Sequence, residues 1–355
     1  MPLIEKLDIQ GFAIFKQPLE WRRHGGLNLI IGENDTGKTH LLKLLYAVTR
    51  AAEEYWKKAA GPSPVELPEI LAAKLRWVFL PQQMELGRLV SRGGHYRLKV
   101  DLGMSGDGSL RFEFGKDTTS KILQWQSDGL SALKGLRANY LPPKEILSIF
   151  DAIVATREAQ EIAAFDDTYY DLVQDFRQPT TAGKWQNNVA RAVKHLDQVT
   201  CGGEVEMDAK GIWFRRGNER YNMHQTAEGI KKIGILHRLM RNRRLTPKGG
   251  CLLFVDEPET NLHPKAVVRF AEMLFEYARS GIQVYATTYS YFLLKRLEQL
   301  ARESQTDDTL LDLRRENGEG VRGMITRLAD GLPDSPIIEQ SMALFDEDVR
   351  LDLGL

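Results

Sequence analysis

The residues Gly32-Glu33-Asn34-Asp35-Thr36-Gly37-Lys38-Thr39 constrain this chain more than any other part of it. They match the spacing G-x-x-x-x-G-K-[ST] in full. A short run, Leu27 to Ile31, apolar except for Asn28, precedes them and reads as a strand buried on both faces. Behind them Leu41, Leu42, Leu44, Leu45 and Val48 recur at helical spacing. Glycines take backbone angles that a side chain forbids. Successive N–H groups then form a concave cradle for phosphate oxygens, and the helix N-terminus adds partial positive charge. In such a loop Lys38 reaches the β- and γ-phosphates of a nucleotide, and the Thr39 hydroxyl ligates Mg²⁺. Residues 32–39 are therefore the first candidate cofactor-binding segment.

A second apolar run, Cys251 to Val255, ends in paired carboxylates, Asp256 and Glu257. A lone Asp-Glu pair is ordinarily a solvated strand end. Its place after a buried strand, in a chain that also carries Lys38, favours chemistry instead. Asp256 then belongs to the Mg²⁺ shell, and Glu257 polarises an attacking water.

The run Val255-Asp256-Glu257-Pro258-Glu259-Thr260-Asn261-Leu262-His263-Pro264 resembles the extended Walker B and D-loop of ABC-type ATPases. More narrowly, it resembles the RecF-like, SMC-like and overcoming-lysogenisation-defect-like branch. The resemblance covers about residues 1–50 and 220–300. It implies an α/β fold: a P-loop NTPase, an ABC ATPase head with a mixed sheet and a helical insertion. It also implies ATP and Mg²⁺ as cofactors and a head-to-tail homodimer, or higher homo-oligomer, that sandwiches ATP. In that arrangement each head lends its signature motif to the nucleotide of the other.

The signature maps to Thr226, Ala227, Glu228 and Gly229. With Gly229 as the signature glycine, Ala227 stands where the family has serine, and Thr226 is the nearest hydroxyl. A plain helix N-cap by Thr226 is the alternative. The switch position, usually histidine, is Tyr289 within Thr287-Thr288-Tyr289-Ser290. A tyrosine hydroxyl can hydrogen-bond a phosphate or a water but cannot become cationic. The expectation is slow or partner-stimulated hydrolysis, with Tyr289, Glu257 and Lys38 as the catalytic set. His263 is placed in the D-loop, facing the partner head.

The remaining periodicity divides the chain into an N-terminal core part (1–54), an inserted hairpin and helical region (55–220), a C-terminal core part (221–304) and a tail (305–355). Strands are expected within 3–15 and at 282–288. Hairpins are expected at 95–114 and 203–222. Helices are expected within 65–90, over most of 145–198 with a break at 178–183, from about 226 to 240, and over 264–279 and 291–304. Tyr140 to Glu145 reads as punctuation, and the tail as charged and irregular, with a turn and short helix near 331–339.

Weaker signals carry competing readings. Gln82 and Gln83 are candidates for the Q-loop glutamine, against solvated loop residues. Phe12 or Phe15 could stack on adenine, against core packing. Arg238, Arg241, Arg243 and Arg244 could meet nucleic acid or an acidic partner, against a solvated face. Asp166, Asp167 and Asp171 could hold a metal, against an exposed acidic helix.

Lys plus Arg and Asp plus Glu are 48 each, so the net charge is zero and a globally basic nucleic-acid coat is excluded. Two cysteines, Cys201 and Cys251, exclude a disulfide scaffold. The first ten residues carry no signal-peptide pattern, and no apolar stretch reaches membrane-spanning length. A cytoplasmic protein with no membrane partner is expected. The middle has no sustained heptads, which argues against a structural-maintenance role. The tail shows no strand-borne Glu and D-x-D set, so no nuclease site is expected. The leading function is an ATPase subunit that regulates a separate effector, a nuclease or toxin encoded nearby, in anti-phage defence. The alternatives are a RecF-like DNA-repair ATPase and an ATP-locked scaffold with negligible turnover.

Overall fold

The computed structural model describes residues 3–58, 63, 66–159, 162–181, 190, 191, 193, 194, 202–208, 210–247, 250–316 and 320–353. Cys201, most of 182–200 and part of the Gly61–Pro64 turn lie outside the described residues.

The first strands are β1 (Ile4–Gln10), β2 (Leu19–Trp21) and β3 (Leu27–Gly32), followed by α1 (Lys38–Lys57) and α2 (Glu66–Phe79). Next come β4 (Arg97–Met104), β5 (Gly108–Gly115), β6 (Gln124–Asp128) and β7 (Arg137–Leu141), then α3 (Phe150–Val154) and α4 (Asp167–Arg177). Strands β8 (Glu204–Asp208), β9 (Gly211–Arg216) and β10 (Glu219–Asn222) lead to α5 (Glu228–Arg241). The chain then alternates β11 (Cys251–Asp256), α6 (Pro264–Ser280), β12 (Ile282–Thr287) and α7 (Tyr291–Ser304). It closes with β13 (Thr309–Glu316), β14 (Gly320–Arg327) and α8 (Pro336–Leu353).

The central sheet has the order β14-β13-β3-β12-β11-β7. Five of its strands run parallel, and β14 pairs antiparallel with β13, so the sheet is mixed. Every residue of β3, β11 and β12 is buried, which is why these strands read as largely apolar runs, with Asn28 and Gln283 as buried polar exceptions. Alternate residues face opposite layers. Leu252 and Phe254 join a core with α1, α2 and the inner face of the antiparallel sheet β2-β1-β4-β5-β6. Leu253 and Val255 join a second core with α4, α5, α6 and α7.

Three expectations are corrected. Residues 137–141 are not only punctuation: they form the edge strand β7, paired in parallel with β11. The tail is not irregular: β13 pairs in parallel with β3 and brings β14 with it. The predicted hairpin at 203–222 is a three-stranded meander. Among the described residues no helix is long and apolar enough to cross a membrane.

Candidate functional site

The loops at the carboxyl ends of β3, β11, β12 and β7 converge, the usual place for ligands in a parallel α/β sheet. The loop after β3 depends on two glycines. A Cβ on Gly32 would lie 2.3 Å from the Leu313 carbonyl oxygen, so β13 backs directly against the loop. Gly37 has φ +86°, and a Cβ there would lie 2.8 Å from the Phe15 ring. Gly37 also precedes α1 with no side chain capping the helix, which leaves its first N–H groups to a ligand. Glu33, Asn34 and Asp35 form the exposed rim, while Thr36 is buried and donates to Glu33 O at 2.9 Å. Lys38 is buried, and its Nζ donates to Gly32 O and Glu33 O, each at 2.8 Å. Burial lowers its pKa, opposed by Glu257, Asp256 and Glu259.

Asp256 is the hub. It is buried at the end of β11. Its Oδ1 accepts from Thr39 Oγ1 at 3.0 Å and from Thr287 Oγ1 at 2.6 Å, and its Oδ2 accepts from Tyr140 OH at 3.0 Å. Thr39 and Asp256 come from opposite parts of the chain, and Thr287 comes from β12 between them. A hydroxyl beside a carboxylate is a hard-oxygen donor set that suits Mg²⁺ completed by substrate phosphates. Among the described residues, no group of three or more His, Cys, Asp or Glu is placed to hold a metal by itself.

Glu257 adopts a left-handed backbone, φ +46°, and donates its N–H to Thr287 Oγ1 at 3.0 Å. A non-glycine residue held there is a local strain that surrounding bonds must maintain. Its carboxyl is half-buried. Burial, then Asp256 and Glu259, raise its pKa, the direction that strengthens a base. Glu259 is buried and accepts from Thr288 Oγ1 and from the Tyr289 N–H, both at 2.8 Å. The Tyr289 backbone is thus fixed, while its side chain stays about half exposed. Lys232, buried on α5, points its Nζ at Glu257 O and Thr260 O, 3.4 Å from each. Burial pushes its pKa down to about 8.

The segment 226–229 sits apart from this centre. Ala227, not Thr226, is the N-cap of α5, and no side chain caps the helix. Thr226 instead donates to Asn222 O at 3.4 Å. Ala227 and Glu228 are exposed, and Gly229 packs closely on Leu262, which a Cβ would meet at 2.6 Å. No hydrogen bond among the described residues joins 226–229 to 32–39. His263 is exposed and caps α6, its Nδ1 accepting from the Lys265 N–H at 3.2 Å.

Several sequence candidates lie elsewhere. Phe12 and Phe15 are fully buried core residues. Gln82 and Gln83 are exposed on a loop. The acidic helix α4 is not exposed: Asp167, Asp171 and Asp175 are buried, and its acids face basic side chains. Lys43 pairs with Asp166 at 2.7 Å, Lys74 with Asp167 at 2.7 Å and Asp171 at 3.0 Å, and Arg50 with Asp175 at 2.9 Å. The basic run is not wholly solvated: three of its four arginines have internal partners, and Arg243 is exposed. Arg238 donates to Phe176 O at 2.6 Å, Arg241 pairs with Glu204 at 3.0 Å, and Arg244 pairs with buried Glu53. Sequence reasoning missed Tyr140, Lys232, Thr287 and Glu259 as parts of the site. Thr287 and Glu259 were within quoted motifs, and their roles needed only the sheet order.

Residues 215–295 match a family described as "AAA domain, putative AbiEii toxin, Type IV TA system". No curated protein matches the sequence. Among solved structures, an Smc head bound to the C-winged helix domain of ScpA is similar, with TM-score 0.54 and 13% identity over 93% of this chain and 99% of that one. A Pyrococcus furiosus Smc head with an extended coiled coil, bound to the C-terminal domain of ScpA, gives TM-score 0.51 and 11% identity over 98% and 99%. The chain shares the mixed α/β fold of these SMC heads, with a phosphate-loop motif after β3 of its central sheet.

Proposed function

We propose that this chain is an ATP-binding and ATP-hydrolysing subunit that works as a head-to-tail homodimer and switches a separate effector protein. The single observation that carries the reading is the junction of Thr39 and Asp256, 3.0 Å apart, beside a loop whose Gly32 and Gly37 pack too closely on Leu313 and Phe15 for any side chain. The description of the family matched at 215–295 carries toxin and toxin–antitoxin terms, which supports a link to a toxin; a nuclease or toxin effector in bacterial defence is our extension of it.

In this reading Lys38 leaves the carbonyls of Gly32 and Glu33 for the β- and γ-phosphates, and the loop N–H groups hold their oxygens. Thr39 and Asp256 would hold Mg²⁺, which would supply positive charge beside the phosphates. Glu257 orients a water in line with the γ-phosphate and takes its proton. The partner subunit supplies the uncapped start of its α5 at 226–229, whose free N–H groups suit an anion. That completes a site which one head leaves open, so ATP closes the pair and hydrolysis releases it. The division into 1–54, 55–220, 221–304 and 305–355 belongs to the same proposal, with the insertion receiving the partner and also lending β7 to the core.

Turnover assays test the residue roles. Lys38→Ala should abolish ATP binding. Glu257→Gln should keep binding and lose roughly 10²-fold or more in turnover. Wild-type turnover in Glu257→Gln would show the assignment to be wrong. The exposed Tyr289 favours one alternative, a scaffold that ATP locks with negligible turnover. A DNA-binding role is less favoured, because three of the four arginines in its candidate basic run are engaged internally.

A further inference from the structure

We propose that Arg315, on β13, is a positioning residue that holds the phosphate loop in its binding shape through Asp35. The inference rests on the reading of residues 32–39 as the ATP-phosphate loop. Asp35 has φ +61°, a left-handed conformation that costs a residue with a side chain more than it costs glycine. Arg315 reaches across from β13 and donates to the Asp35 carbonyl oxygen at 3.3 Å and to its carboxylate. One guanidinium therefore grips both the backbone and the side chain of the same strained residue.

The sheet explains why Arg315 is there. β13 runs parallel to β3, with Leu313 opposite Gly32. The Leu313 carbonyl occupies the space a Cβ on Gly32 would need. Two residues further on, the same edge of β13 presents Arg315 to the crest of the loop. Both partners are largely solvent-exposed, so the pair contributes little to global stability. Its effect falls on the local shape of a loop whose successive N–H groups must point at one anion.

A competing role for Arg315 is direct contact with a nucleotide phosphate, and the two are separable. Affinity for a fluorescent ATP analogue is measured for wild type, Arg315→Ala, Asp35→Gly and the double variant, with melting temperature alongside. Arg315→Ala should weaken binding about three- to fivefold at an unchanged melting temperature. The double variant should bind as Asp35→Gly alone does, because glycine takes φ > 0 without a clamp and Arg315 then has nothing left to hold. A double variant about three- to fivefold weaker than Asp35→Gly alone would assign Arg315 to direct phosphate contact and overturn the proposal. Unchanged binding in Arg315→Ala would overturn it too. Failure of the wild-type protein to bind the analogue would instead contradict the phosphate-loop reading on which the inference rests.

Discussion

The hydroxyl of Thr287 donates to Asp256 Oδ1 at 2.6 Å while it accepts the Glu257 N–H at 3.0 Å. One buried side chain on β12 therefore orients both carboxylate residues at the end of β11. Thr287→Val keeps the volume and removes both bonds. We expect turnover to fall about 10- to 100-fold, with ATP affinity changed much less, because misplacement acts on the attack geometry. A turnover assay beside a binding titration checks this, and equal losses in both would contradict it.

Tyr289 makes a different prediction. Its backbone is fixed by Glu259, and its ring is about half exposed. An imidazole there can carry positive charge near pH 7, which a phenol cannot do. Tyr289→His should raise steady-state turnover by about tenfold or more. Unchanged turnover would show that this position does not limit hydrolysis.

A buried ion cluster ties α1 to the inserted helices. Arg50 faces Glu53 at 3.3 Å, Asp175 at 2.9 Å and Asp171 at 3.5 Å, all buried. Arg50→Met would leave three carboxylates without their central cation. Breaking a buried pair from one side costs about 3–5 kcal/mol. Urea unfolding should register a loss of that size, whereas a loss below ~1 kcal/mol would mean that Arg244 and Lys74 suffice.

His24 sets part of the acid stability. It is buried, its Nε2 bonds the Trp21 carbonyl at 2.9 Å, and its Nδ1 faces Tyr285 OH at 2.9 Å. Burial pushes its pKa down to about 4 from 6.5. The unfolded chain takes up this proton near pH 6.5 and the folded chain only near 4. Native stability therefore falls as pH drops through that window, by at most ~3 kcal/mol from this group. His24→Gln should flatten that part of the stability curve. Equal pH slopes for variant and wild type would rule the group out.

The parts of the site that were legible in sequence are those where burial and chemistry write the same pattern. β3, β11 and β12 are buried throughout and read as largely apolar runs that end in Gly32, Asp256 and Thr287. β7 was hidden because its polar residues serve neighbouring strands. Buried Asn139 donates to Leu252 O at 3.1 Å, and Tyr140 bonds Asp256. β13 was hidden by charge: Asp312 is fully buried yet pairs with Arg314 at 2.8 Å. The acids of α4 looked solvated for a related reason. Their partners, Lys43, Arg50 and Lys74, lie far away in sequence, and only the fold brings them together.

The central claim is that ATP closes two heads around a site that neither completes alone. Light scattering behind size-exclusion chromatography on Glu257→Gln, with and without ATP and Mg²⁺, tests it most directly. The account predicts a shift to a dimer or larger closed assembly with ATP, absent with ADP and absent in Lys38→Ala. An oligomeric state indifferent to nucleotide, in a protein that demonstrably binds ATP, would contradict it.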